Sequence, residues 1–114
     1  MIEKIIFDYL NSSEDLTAKA YTEMPKTVPS KMYLIEKTGS SRENRINTAT
    51  IAIQSYADTL YDAISLNEAL KAVMLDGLIT LDTISGVYLN SDYNYTDTTT
   101  KRYRYQAVFV VTYY

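Results

Sequence analysis

The 114-residue chain contains no cysteine and no histidine. Without cysteine there is no disulfide and no thiolate zinc site. Without histidine the usual general base near neutral pH and the commonest metal ligand are both missing. Serine–histidine and cysteine–histidine catalysis are therefore excluded. Tryptophan is also absent, and there are only two prolines and three glycines. Gly39, Gly77 and Gly86 are too scattered to form a phosphate-cradling loop. No apolar run approaches the roughly 18 residues that a membrane helix needs, so no membrane partner is expected. The opening Met-Ile-Glu-Lys-Ile-Ile-Phe-Asp carries acids inside its apolar stretch, unlike a secretory signal.

What is present is acid in slight excess and a great deal of tyrosine. Fourteen acidic residues face eleven basic ones, a formal charge of −3. A phosphate-binding surface is usually basic, so specific nucleic-acid binding is disfavoured. The chain has 12 tyrosines. Tyrosine combines a flat apolar body with a polar tip, which suits both half-buried strands and protein interfaces. The length fits one domain, able to bury about two thirds of its unfolded surface.

The clearest pattern lies at Lys101–Tyr113. Tyr103, Tyr105, Ala107, Phe109, Val111 and Tyr113 alternate with Arg102, Arg104, Gln106, Val108, Val110 and Thr112. Such period-two patterning predicts a strand, about 43 Å long if straight. That exceeds the width of a compact domain, so one end is expected to bend or to offer an edge to another subunit. Ile2–Asn11 reads as a short helix, with Ile2, Ile5, Ile6, Tyr9 and Leu10 on one face. Leu16–Tyr21 is compatible with a short strand or a helical turn. Pro25 and Pro29 bracket a loop. Lys31–Lys37 and Thr48–Gln54 read as strands joined by a long flexible connection, Thr38–Asn47. Ser55 and Asp58 form an S-x-x-D box expected to cap a main helix of about 20 residues. On that helix Tyr56, Leu60, Ala63, Leu66, Leu70, Val73 and Met74 share an apolar arc, and Asp76-Gly77 ends it through a left-handed glycine. Asn67, inside the arc, reads as a partnered core polar group. Asp82–Asn90 is a further strand, with a bulge expected at Gly86, and Ser91–Thr100 a polar loop. The whole predicts an α+β domain. Its sheet is expected to be mostly antiparallel, with about four to five strands, and a long helix and a short N-terminal helix pack on one face.

Candidate chemistry is sparse. Asp92 and Asp97 near Arg102 and Arg104 could be an acid–base pair, but nothing in the sequence supplies a pocket, and a solvated loop beside a basic strand end is the stronger reading. Lys101, Arg102 and Arg104 interleaved with Tyr103 and Tyr105 could stack on single-stranded nucleic acid. A salt-bridged surface row fits an acidic chain better. Arg42, Glu43, Asn44 and Arg45 form either a docking arm or a plain hairpin tip. Tyr93 and Tyr95 join Arg102–Tyr105 as candidate interface residues. No catalytic, metal or cofactor residue is assigned.

The order of features resembles the tail-terminator, or tail-completion and head–tail joining, proteins of long-tailed bacteriophages. The likeness runs through the N-terminal helix, Ala18-Lys19-Ala20-Tyr21 leading into Pro25 and Pro29, and Tyr33-Leu34-Ile35-Glu36-Lys37-Thr38-Gly39. It continues in T-I-A-I-Q-S-Y-A-D-T from Thr50 and closes on R-Y-R-Y-Q-A-V-F-V-V from Arg102. It implies a single domain over residues 1–114 that forms a hexameric ring on the tail tube, stops tube growth and meets the head connector. Its partners would be copies of itself, the tube protein and the connector protein, with DNA only in passage. It would work in the virion tail after assembly in the host cytoplasm, without cofactor or chemistry. The main departures are the lack of a proline in Ser91–Thr100 and of a tryptophan near the start of the main helix. A competing class is a small non-enzymatic binding module whose tyrosine-rich surface takes peptide or carbohydrate.

Overall fold

The structure, a computed structural model, describes residues 1–96 and 102–114. Asp97 and Lys101, which belong to the expected loop and strand start, lie outside them. The element order is α1 (Ile2–Ser12), β1 (Lys19–Tyr21), β2 (Met32–Glu43), β3 (Ile46–Ala57), α2 (Leu60–Ala72), β4 (Ile84–Asn94) and β5 (Tyr103–Tyr113). A five-stranded sheet runs β1-β2-β3-β5-β4. The fold is α+β, and the sheet is mixed rather than mostly antiparallel, because β1 lies parallel to β2. The proline-bearing stretch from Thr22 to Lys31 provides the return that a parallel neighbour requires. Asn11 of α1 then stands in for a further strand along β1. Its amide donates to Ala20 O at 3.1 Å and accepts from Ala20 N at 2.8 Å.

Alternation in β5 is as the sequence predicts. Ala107, Phe109 and Val111 are fully buried, while Gln106, Val108 and Val110 are half-buried on the other side. One core cluster joins Ile2, Ile6 and Leu10 of α1 and Ala63, Leu66 and Leu70 of α2 to Ile35, Ile51, Ile53 and the three β5 residues. This sheet surface is called the core side below, and the opposite one the outer side. β5 is not an edge. It sits between β3 and β4, so its backbone is paired on both flanks. The molecule is 44 Å along its longest axis, so the strand fits within the domain without reaching past it.

Three local expectations are corrected. First, Thr38–Asn47 is not a long flexible connection. β2 and β3 stay paired out to Glu43 and Ile46, with one bulge between Lys37 and Gly39. The turn is only Asn44-Arg45, with φ of 51° and 67°, the left-handed pair that a tight hairpin turn needs. Second, Ser55 does not cap a helix. It is buried in β3 opposite Tyr105, and Tyr56 is likewise a strand residue. The cap is Thr59, whose hydroxyl accepts from Asp62 N at 3.1 Å. Strand pairing through Ala57 outweighs the earlier capping box. The helix is correspondingly shorter, and its Leu60 faces outward. Third, Gly77 is not left-handed, since its φ is −103°. α2 widens into a π-helical turn at Val73–Gly77 and tightens into a 3-10 turn at Leu78–Thr80. Glycine is needed there for space, because a Cβ at Gly77 would lie 2.1 Å from the Tyr9 hydroxyl. The expected bulge at Gly86 is present, and β4 carries a second between Leu89 and Ser91. Ser91–Asn94, expected in a loop, are part of β4.

Candidate interaction surface

The outer side of the sheet carries a polar ladder across three strands. Tyr56 Oη donates to Gln54 Oε1 at 2.7 Å, and Gln54 Nε2 donates to Gln106 Oε1 at 2.9 Å. Gln106 Nε2 in turn donates to Tyr93 Oη at 2.5 Å. Gln54 and Gln106 face each other in the β3–β5 register, so the link follows directly from strand pairing. Arg104, next on that face, donates from Nη1 to Tyr56 Oη at 3.0 Å and from Nε to Tyr95 O at 2.5 Å. Its guanidinium stacks on Tyr95 at 4.4 Å and approaches Tyr56 at 5.7 Å. Tyr93 and Tyr95 meet edge to face with centroids 5.9 Å apart. These bonds link the side chains into one chain, so the group is pre-ordered, and such networks polarise one another.

Arg102 closes one end of this surface. Its Nη2 donates to Pro29 O at 2.6 Å and Ser30 O at 3.2 Å, pinning the loop that leads into β2. Arg102 also lies 5.9 Å from the Tyr56 ring. The expected salt-bridged row is not seen among the described residues, and Asp97 lies outside them. Among the described residues neither Arg102 nor Arg104 has an acidic partner, and carbonyls and aromatic faces hold them instead.

The ten candidate interface residues do not form one site. Tyr93, Tyr95, Arg102 and Arg104 gather around the outer ladder. Tyr103 and Tyr105 project to the core side, Tyr103 37% exposed and Tyr105 half-buried. Arg42, Glu43, Asn44 and Arg45 lie at the opposite end of the sheet. β3 and β5 pair from Asn47 to Ala57, which separates the two ends by about 33 Å. Every residue from Glu36 to Ile46 is exposed, and because β3 stays paired with β5 as far as Asn47, only the Glu43–Ile46 turn extends past the sheet.

Asp92 has a different role from the one considered. It accepts from Lys71 Nζ at 2.9 Å and from Asn67 Nδ2 at 3.1 Å, tying β4 to α2. Asn67 is thus a buried core polar group partnered through its Nδ2, while its Oδ1 has no hydrogen-bond partner among the described residues. The Lys71 ammonium is held above its ordinary pKa, first by its bond to Glu68 and then by Asp92. Tyr33, buried beneath α2, donates to Leu66 O at 2.8 Å, and burial pushes its hydroxyl well above the usual tyrosine range. A cleft of about 320 Å³ lies where α1 ends beside the π-helical turn. Tyr9, Ser13, Asp15 and Asp76 contribute its polar lining.

Sequence reasoning missed Gln54, Tyr56 and Gln106. The even-numbered run from Arg102 to Gln106 was a signal that one strand face is polar, but its β3 partners were hidden by the misplaced helix start. It also missed an outward patch on α2, where Leu60, Tyr61 and Ile64 are 37%, 78% and 37% exposed. No helix among the described residues is long and apolar enough to cross a membrane. Compared with family models and with curated proteins, the chain matches none.

Proposed function

We propose that the protein is a virion structural component of a long-tailed phage or prophage, which caps the tail tube as a homomeric ring, a hexamer as the resemblance implies, and joins it to the head connector. The carrying observation is the pair of open sheet edges. Among the described residues, no strand pairs with the outer edge of β2 beyond Leu34 or with the outer edge of β4. An unpaired edge is a template for another chain. A subunit with two unlike edges makes head-to-tail contacts, which close into a ring when the rotation permits. In this reading both helices cover one sheet face, and the other is left to the tube and connector. The bulges in β2 and β4 and the charged residues on β2 restrain indiscriminate pairing.

The test is addition of the purified protein to tail tubes growing from the tube protein encoded beside it. Tubes should shorten and carry ring density at one end. An unchanged length distribution with bare ends would overturn the reading. A second reading, a binding module for peptide or carbohydrate, is favoured by Tyr88, Tyr93 and Tyr95, which are 58%, 41% and 43% exposed on or beside the ladder. That module would stay monomeric and leave the tubes unaffected.

A further inference from the structure

The molecule presents two complementary features that cannot meet within one copy. The first is the tip of the β2–β3 hairpin. Arg42 and Arg45 are exposed there, with Ile46 41% exposed beside them. Neither arginine has an acidic partner among the described residues. Arg45 also sits at φ 67°, where glycine is the favoured residue. A long cation is kept at a backbone position that disfavours it.

The second feature is the outward face of α2. Leu60, Tyr61 and Ile64 are exposed side by side, and Tyr61 is 78% exposed. Asp58 and Glu68 flank them, and Ser65 lies between the two turns. Of the acids near this face, Asp58 and Glu68 are exposed, and Glu68 also pairs with Lys71 at 2.8 Å. An apolar centre with an acidic rim matches a tip with two cations and an exposed isoleucine.

Within one copy the two are kept apart. α2 begins where β3 ends, and the hairpin turn lies where β3 begins, about 33 Å away along the strands. We infer that the Arg42–Ile46 hairpin tip of one copy docks on the Leu60–Tyr61–Ile64 face of a second copy, with Arg42 and Arg45 against Asp58 and Glu68. The contact is head-to-tail, so each copy offers both halves and assembly continues until it closes. This inference rests on the ring-forming reading and adds to it a subunit contact other than the strand edges.

The absence of cysteine makes a clean test possible. Glu43→Cys and Ser65→Cys, both at exposed positions, are placed in one chain, and concentrated protein is treated with a short bifunctional thiol reagent. The expected result is a ladder of covalent dimers, trimers and larger species. Mixing the two single variants should give dimers only, because each lacks one half. No ladder from the double variant overturns the contact, as does equally efficient linking by either single variant alone. Arg42→Glu with Arg45→Glu should lower the yield about tenfold, and Asp58→Lys with Glu68→Lys should restore it. Arg45→Gly relaxes the turn and removes one charge, so that variant should melt higher yet cross-link less. Multimers seen by size measurement in double-variant protein that yields no covalent ladder overturn this contact and leave the ring reading standing. A ladder from protein that leaves growing tubes unaffected overturns the ring reading and leaves the contact standing.

Discussion

Arg104 lies over Tyr95, its guanidinium carbon 4.4 Å from the ring centroid, while its Nε donates to the carbonyl of the same residue. One side chain thus fixes both the ring and the backbone at the end of β4. A lysine can supply the charge but not the planar fork. Arg104→Lys should cost about 1 kcal/mol in chemical denaturation. An unchanged midpoint and slope would mean that the stack contributes nothing to the fold.

The two leucines of α2 separate burial from helix membership. Leu70 is fully buried, whereas Leu60 is 37% exposed on the outward face. Leu70→Ala should cost about 2–5 kcal/mol. Leu60→Ala should cost under about 1 kcal/mol, since it leaves little cavity. Equal losses in denaturation curves would contradict the helix orientation.

Alkaline pH should destabilise the fold. Tyr33 in the unfolded chain releases its proton near the ordinary value of 10.0, while the buried folded residue retains it. Lys71 behaves alike: its folded pKa is raised above 10.5, so the stability it supplies is complete below that pH and fades above it. Between the unfolded and folded values the unfolded state holds fewer protons, and stability falls by about 1.4 kcal/mol per pH unit for each such group. Tyr33→Phe should lose about 1 kcal/mol at neutral pH from its missing bond to Leu66 O, yet show a shallower alkaline slope. An identical slope in urea titrations between pH 9 and 11, roughly the range where tyrosine ionises, would assign the fall to other groups.

Gly77 and Tyr9 should be coupled. A methyl group at Gly77 would meet the Tyr9 hydroxyl at 2.1 Å and the ring carbon behind it at 3.1 Å. Ala is favoured over Gly in helical geometry by about 1 kcal/mol, while overpacking costs about 1–3 kcal/mol. Gly77→Ala should therefore destabilise the protein alone and become neutral or stabilising when combined with Tyr9→Phe. Additive effects in a double-mutant cycle would show that Tyr9 swings away freely.

The parts of this fold that sequence conveyed are those with one wet and one dry side. α1 and the alternating residues of β5 have that character: α1 ends one residue beyond its expected end, and β5 runs Tyr103–Tyr113 within the expected strand. The distal half of β2 does not. Glu36–Glu43 is exposed on both faces, so its hydrophobic pattern carries no period, and its turn lacks the glycine that would have announced it. At the start of α2 two capping signals compete four residues apart. Ser55 loses to Thr59 because Ser55 faces Tyr105 in the sheet, a contact 50 residues away in sequence that no local window contains. The ladder is hidden for the same reason, since Gln54 and Gln106 meet across 52 residues.

The placement of β5 between β3 and β4 has a further consequence for manufacture. β5, an interior strand, is translated after both its neighbours, so β3 and β4 cannot be joined in the sheet until it arrives. A polypeptide cut short before Tyr103 lacks the strand that joins them, so β3 and β4 are each left with an open flank that the complete chain covers.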